Sequence, residues 1–241
     1  MFALPPLAER PPELMDNPAL EAHQHQAALQ ALARIHFVSR TATQIVSQLM
    51  VLLRATADAD GKSLRILDIA CGGGELTTAV ATRMASRTSS RIEVIGLDMS
   101  DRAMSWATRN HERKTKNLDI SFRTCDVLND ELPSCTLAFH SLFLHHLDDA
   151  QAVAQLETMA SATRVGFVFS DLLRTRLGLL FAQLGTRLLS RSTVAHIDGP
   201  LSVRAARTVE EYRGLFKAAH LRDPMLQRAW PERVCATWRR K

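Results

Sequence analysis

The run Leu67-Asp68-Ile69-Ala70-Cys71-Gly72-Gly73-Gly74-Glu75-Leu76 joins an acidic residue to a glycine-packed turn. Leu64 to Leu67, broken only by Arg65, lead into the acid as a strand would, and helix-forming sequence begins at Glu75. A strand that feeds a glycine turn and a helix builds a nucleotide crevice, because glycine lets a ligand approach the backbone closely. The acid selects the ligand. A carboxylate at the strand end repels a phosphate and attracts a cation such as an amine. The place of a third fingerprint glycine is taken by Thr77, which disfavours a dinucleotide, and no Gly-Lys-Ser/Thr ends the turn, which excludes a P-loop. Two further acids follow predicted strands. Asp98 closes Val94-Ile95-Gly96-Leu97-Asp98, where a carboxylate can accept hydrogen bonds from both hydroxyls of a ribose, and Asp126 lies in Cys125-Asp126-Val127.

The elements that must hold these residues alternate regularly. Helical pattern runs from Ala19 to about Thr56, started by Asn17-Pro18, as two helices meeting near His36 to Arg40. After the break at Asp60-Gly61, strands are expected at Leu64 to Ile69, Ile92 to Leu97, Leu118 to Thr124, Leu137 to Leu142 and Val165 to Ser170. Helices are expected at Glu75 to Ser86, Asp101 to Lys114 and Asp149 to Thr163. This alternation predicts an α/β fold, a doubly wound and mostly parallel seven-stranded sheet with helices on both faces. Residues 172–207 depart from the alternation as a helical lid insertion, containing a helix from Leu177 to Leu189 and a turn at Ile197-Asp198-Gly199-Pro200. A core-packed or lid helix is the default for Leu177 to Leu189, and a membrane-surface helix is the alternative. Thr208 caps a helix from Val209 to Ala219, and Met225 to Trp230 with Val234 to Trp238 form an antiparallel hairpin at the sheet edge. Residues 1–16, with Pro5, Pro6, Pro11 and Pro12, read as a flexible tail, and 17–241 as one domain whose residues 17–60 form a helical cap.

The glycine run resembles the first motif of the Rossmann-like methyltransferases that use S-adenosylmethionine (SAM), with Asp68, Cys71, Gly72 and Gly74 in the patterned places. SAM carries an α-amino group, a sulfonium and no phosphate, which suits the acid at the strand end. The resemblance covers about Leu64 to Asp171 and implies a cofactor site of Asp68, Ala70, Cys71, Gly72, Gly74, Asp98, Met99, Asp126, Val127 and His140, with Met99 packing on the adenine and Asp126 or its neighbours holding the adenine amine. The run Phe139-His140-Ser141-Leu142-Phe143-Leu144-His145-His146-Leu147 is similar to one carried by methyltransferases of small molecules and quinones. Thr136 stands where that family usually has an acid, a position that is not a principal ligand. The Asn/Asp-Pro-Pro-Tyr/Phe element of amino-group methyltransferases is missing, His140-Ser141-Leu142-Phe143 standing in its place, which disfavours nucleobase and glutamine amines. Leu173-Arg174, Ser190-Arg191-Ser192, Asp198 to Arg204, and Leu32 to Arg40 resemble segments of bacterial methyltransferases associated with type III polyketide synthases, which implies a phenolic or polyketide-derived acceptor.

For a hydroxyl acceptor the protein must align it, exclude water and remove a proton. A histidine is a suitable base, and His145 and His146, after the fourth strand, are the candidates. His140 packs or touches the cofactor. His196 with Asp198 is a second base and orienter, or a polar pair that stabilises a turn. Arg40 either reaches the cofactor carboxylate or ends a helix in solvent.

The bulk composition of the chain of 241 residues, 46% hydrophobic, allows one substantial core. The net charge of +5 reads as a solvated basic surface and leaves an RNA methyltransferase, or a SAM-binding protein without catalysis, as alternatives to small-molecule O-methylation. Cys71, Cys125, Cys135 and Cys235 form no Cys-x-x-Cys pair, and His23 and His25 diverge on a helix, so neither a metal site nor a disulfide frame is expected. No segment is long enough to span a bilayer and none reads as a signal peptide, so a cytoplasmic enzyme with a small aromatic acceptor and no stable nucleic-acid partner is expected.

Overall fold

The computed structural model describes residues 4, 12–17, 19–56, 63–114 and 118–241, with the side chains of 112–114 excepted. Among these residues the chain forms a seven-stranded sheet of order β3-β2-β1-β4-β5-β7-β6. The strands are β1 (Leu64–Ile69), β2 (Ile92–Asp98), β3 (Asp119–Thr124), β4 (Cys135–Ser141), β5 (Thr163–Leu172), β6 (Met225–Ala229) and β7 (Arg233–Arg239). The first five pair in parallel, β7 runs antiparallel to β5, and β6 closes the edge against β7. This is the predicted fold, including the C-terminal hairpin. The strand order reverses at β1, so the crevice of the sheet opens at the carboxyl ends of β1 and β4.

The helices are α1 (Ala22–Val38), α2 (Thr41–Arg54), α3 (Glu75–Ala85), α4 (Asp101–Lys114), α5 (Asp149–Ala162), α6 (Arg176–Leu189), α7 (Thr193–Ala205) and α8 (Val209–Ala218). The two apolar faces of the sheet are covered separately. Leu67, Ile95, Ala138, Phe167 and Phe169 bury themselves against α5 and α8 residues, whereas Ile66, Val94, Leu137, Phe139 and Val168 pack with Ile45, Leu49 and Leu53 of α2 and with Val80 and Met84 of α3. Neighbouring strand residues thus serve opposite layers, as the two-residue period of a strand requires. Asp148 and Thr208 start α5 and α8 through reciprocal capping boxes with Gln151 and Glu211, and the Thr208 cap is as the sequence predicts.

Three local expectations fail for tertiary reasons. First, Ile197-Asp198-Gly199-Pro200 is not a turn but lies within α7. Gly199 lets α6 approach, since a Cβ there would stand 2.6 Å from Thr186 Cγ2, and Asp198 accepts hydrogen bonds from the backbone N–H groups of Leu14 and Met15 at 2.9 and 3.0 Å. Turn-type residues here serve packing and a long-range bond. Second, α1 begins at Ala22, because Asn17 caps only a local turn, its side chain accepting from Ala19 N at 2.9 Å. Third, the end of the expected tail is docked. Leu14–Asp16 form a 3-10 turn held by Asp198, and Ser202 Oγ donates to the Glu13 carboxylate. Residues 1–3 and 5–11 of that tail, Pro18 and the break at 57–62 lie outside the described residues.

Candidate active site

The glycine turn is shaped by its left-handed positions. Ala70, Gly72 and Gly74 have φ of 55°, 53° and 75°, the left-handed region that favours glycine. Gly74 also has no room for a side chain, because a Cβ would stand 2.5 Å from the Phe122 ring of β3. Gly72, in contrast, meets only Leu29 Cδ2 of α1, at 3.7 Å, so the turn presents bare backbone toward the cap helix.

Two of the predicted acids converge on this turn. Asp98 accepts from Gly72 N at 2.8 Å and from Ser100 N at 2.9 Å, which ties the end of β2 to the turn after β1 and fixes the carboxylate at the crevice. Burial raises its pKa, opposed by those two N–H groups. Asp68 is buried and accepts from Thr77 Oγ1 at 2.6 Å. Burial pushes its pKa to about 8, the Thr77 bond opposing and the Asp98 charge adding to the rise. Two acids close together in a desolvated crevice form a site short of positive charge. The donor set fits SAM: an acid for a cationic group, an acid for ribose hydroxyls and a turn without side chains.

The remaining predicted cofactor residues are placed less uniformly. Cys71 sits in the turn, its N–H donating to Leu97 O at 2.9 Å, and burial holds its thiol well above the usual range. Val127 is buried in the core and Met99 is largely exposed beside Asp98. Asp126 spends its carboxylate on its own loop, accepting from Leu128 N at 3.1 Å and Asn129 Nδ2 at 2.8 Å. His140, on β4, is fully buried, stacked on Phe169 at 5.0 Å and edge-on to Phe143, and burial drives its pKa to about 4. It is a neutral core ring in this arrangement. His196 does not pair with Asp198: its Nε2 faces Ser190 O at 2.9 Å while Asp198 holds the N-terminal turn. The two therefore form neither a base with its orienter nor a pair that stabilises a turn. Arg40 is an exposed residue in the left-handed region at the start of α2.

His145 and His146 lie on a 3-10 turn, Leu144–His146, after β4. Buried Arg207 clamps that turn, donating to Leu144 O at 2.6 Å, to Leu147 O at 2.8 Å and to Asp149. His145 Nδ1 lies 2.7 Å from Asp171 Oδ1 at the end of β5, and its Nε2 lies 3.5 Å from Glu13 Oε1. Burial opposes charge on His145, but Asp171 and Glu13 outweigh it and push its pKa to about 10. Asp171 is held far below the usual range against its burial by the same His145 contact. His146 lies with Nδ1 3.3 Å from Asp16 and Nε2 3.9 Å from Glu13. Together with Pro12, Leu201 and Ala205 these side chains line a cavity of about 250 Å³. A larger cleft of about 630 Å³, between α3 and the starts of β2 and β3, is at the opposite edge of the sheet from the acids. Among the described residues, ligand atoms of Glu13, His145 and His146 lie within 4.8 Å of one another, the spacing of a possible metal group; here the Glu13 carboxylate sits between the rings, 3.5 Å from His145 Nε2 and 3.9 Å from His146 Nε2.

Asp171, Glu13 and Arg207 were not singled out by the sequence reading. Asp171 carried one usable signal, an acid closing the fifth strand as Asp68 and Asp98 close theirs. Glu13 carried none, since its partners are distant in the chain.

The fold and crevice define a Rossmann-like methyltransferase fold. Residues 66–166 match the family model of a methyltransferase domain, and the cofactor of that domain is SAM. Solved structures agree in fold. Human N-acetylserotonin methyltransferase in complex with SAM is 17% identical, with a TM-score of 0.64 over 93% of this chain and 60% of that one. An O-methyltransferase family 2 protein from Planctomyces limnophilus, in complex with apigenin, is 16% identical, with a TM-score of 0.62 over 93% of this chain and 63% of that one. Magnesium protoporphyrin IX methyltransferase from Synechocystis with bound S-adenosylhomocysteine is 16% identical, with a TM-score of 0.54 over 84% and 85%. The chain thus spans under two thirds of the length of the first and second of these. No curated protein sequence matches the chain. No helix of the described residues is long and apolar enough to cross a membrane.

Proposed function

We propose that the protein is an enzyme transferring a methyl group from SAM to a hydroxyl of a small phenolic, quinone or polyketide-derived acceptor. The observation that carries this reading is the His145–Asp171 pair, 2.7 Å apart at the carboxyl edge of the sheet beside the cavity at Glu13. The named ligands of two structural neighbours, N-acetylserotonin methyltransferase by its name and the apigenin complex, are in keeping with an aromatic acceptor.

SAM supplies an activated methyl group on a sulfonium. The chain's own residues do the rest. Asp98 provides the carboxylate of the crevice, Asp68 becomes a second when a cation binds beside it, and Arg207 fixes the turn that carries the histidines. Asp171 orients His145 through Nδ1, leaving Nε2 toward the cavity. In the free protein His145 is protonated, because Glu13 and Asp171 both favour its charge. An acceptor hydroxyl that replaces Glu13 before Nε2 removes one of those two anions, and a cation bound nearby disfavours the imidazolium further, so His145 gives its proton to the departing Glu13 carboxylate or to water and can then accept the hydroxyl's proton as the methyl group is transferred. His146 holds Glu13 and Asp16 and frames the cavity. The cytoplasm is the compartment this reading expects.

Turnover and cofactor affinity separate these roles. His145→Ala is expected to lower kcat by about 100-fold or more with SAM affinity kept, and His146→Ala to act mainly on KM. Full activity of His145→Ala on an acceptor that the unmodified protein methylates removes His145 as the base.

A further inference from the structure

The helix α6 is built inside out. Its buried positions include Gly178 and Thr186, while Leu180, Leu184 and Leu188, spaced four apart on one stripe, face solvent. Leu188 is 84% exposed. A helix of a soluble protein places such a stripe against the core. Here Thr186 serves the close approach of α7 at Gly199, Gly178 packs against Leu173 and Thr175, and the leucines are left outside.

The surroundings extend this face. α1 packs beside α6, tied by Arg34 Nη1 to Leu189 O at 3.1 Å, and its last turn exposes Phe37, at 81%, and Val38. At the other end of α6, the half-exposed Trp230 packs on Phe181 with ring centroids 5.4 Å apart, and its carbonyl accepts from Gln44 Nε2 of α2. The apolar residues therefore come from α1, α6 and the β6–β7 connection together. The three helices add charge of one sign, and the acid of the β6–β7 connection, Glu232, accepts from Thr175 Oγ1 at 2.8 Å. Residues 22–57 and 172–197, which supply α1, α2 and α6, contain no Asp and no Glu, although the chain has 25. Arg176 and Arg187 of α6 and Arg191 just after it are exposed, as are Arg34 of α1 and Arg40 before α2.

We propose that this face docks the protein on an anionic lipid bilayer, with Leu180, Leu184, Leu188 and Phe37 entering the interface and the arginines meeting lipid phosphates. An apolar stripe on a helix that carries arginine and no acid of its own is the pattern of an interfacial helix. A second copy of the chain is the poorer occupant, because a two-fold contact through this face would bring arginines together, and Glu232 is bonded to Thr175. The proposal is independent of the acceptor. Its consequence for that acceptor is access to compounds dissolved in a membrane.

Co-sedimentation tests it with the full chain and two kinds of vesicle, one of phosphatidylcholine alone and one of phosphatidylcholine with phosphatidylglycerol in about equal parts. The protein is expected to sediment with the anionic vesicles, and less so in high salt. The double substitution Leu184→Glu and Leu188→Glu is expected to abolish sedimentation while leaving the circular dichroism and SAM affinity unchanged, because both side chains are exposed. Replacing Arg187 and Arg191 by Gln is expected to weaken binding by about fivefold for each arginine. The proposal is overturned if the protein stays in the supernatant with both vesicles, or if the double variant binds them as well as the unmodified chain. It is equally overturned if light scattering shows a dimer that the double variant dissociates while no vesicle binding is seen.

Discussion

Replacing Asp171 by Asn removes one charge from the buried pair that anchors His145. The hydrogen bond from His145 Nδ1 at 2.7 Å and that from Leu172 N at 2.7 Å can both persist on the amide oxygen, which stands where Oδ1 is. The amide nitrogen then takes the place of Oδ2, an atom with no partner in the structure, and points two new donors into a dry space near the Arg233 guanidinium. Breaking one half of a buried ion pair costs about 3–5 kcal/mol, and because Asn keeps both bonds the lower end applies, about 3 kcal/mol. For a chain of this size that corresponds to a melting temperature lower by about 6–12 °C. The pH dependence is diagnostic. The folded pKa of His145, about 10, lies above its ordinary value of 6.5, so the contribution of its proton is full below that value and is lost as pH rises toward 10. The folded pKa of Asp171 is depressed, so its contribution is present above 3.8 and is lost as pH falls below it. The difference in melting temperature between the protein and Asp171→Asn should therefore be greatest between those two ordinary values, and should shrink steadily in alkaline buffer. Differential scanning calorimetry across pH measures it. A gap that is constant from neutral to alkaline pH refutes the charged pair.

Other consequences concern the cofactor crevice. Asp98→Ala removes a carboxylate held by Gly72 N and Ser100 N, and isothermal titration should show SAM affinity reduced by about 10–100-fold, the worth of charge-assisted hydrogen bonds; unchanged affinity contradicts the ribose role. Asp68 has a pKa near 8, so it is mostly protonated at neutral pH, and binding a cation beside it should release up to about one proton. SAM affinity should accordingly rise as pH increases toward 8, and calorimetry in buffers of different ionisation enthalpy should report a release that Asp68→Asn abolishes. Gly74→Ala places a methyl against the Phe122 ring at a left-handed φ of 75°, and should destabilise the fold by about 1–3 kcal/mol in chemical denaturation.

The sequence made the sheet legible because its signals are local. β1 and α4 have the expected bounds, set by an apolar run before Asp68 and by the acid-started helix at Asp101. The acids at the ends of β1 and β2 were legible for the same reason, since each follows its own strand. The acceptor side was not. Glu13 sits among prolines with no periodicity to mark it, and reaches His145 because Asp198 of α7 holds the backbone of Leu14 and Met15 beside it and Ser202 holds its side chain. The apparent Asp-Gly-Pro turn misled because Asp198 and Gly199 were chosen by contacts across the fold. The protonation of His145 also lies beyond a sequence reading, because it needs Asp171 and Glu13 to converge on one ring. The outward face of α6 shows the same limit: its spacing gives an amphipathic helix, and only its packing on α7 tells which side is buried.

The central claim is that methyl groups pass from SAM, held by the β1 and β2 acids, to a hydroxyl presented to His145. The most direct measurement is incubation of the full chain with SAM labelled in its methyl group, together with a panel of phenols, quinones and RNA, followed by mass spectrometry of the products. Label is expected on the oxygen of a small aromatic compound, and is expected to be lost in His145→Ala and in Asp98→Ala. Label found on RNA alone, or SAM bound tightly with no label transferred to any acceptor, would contradict it.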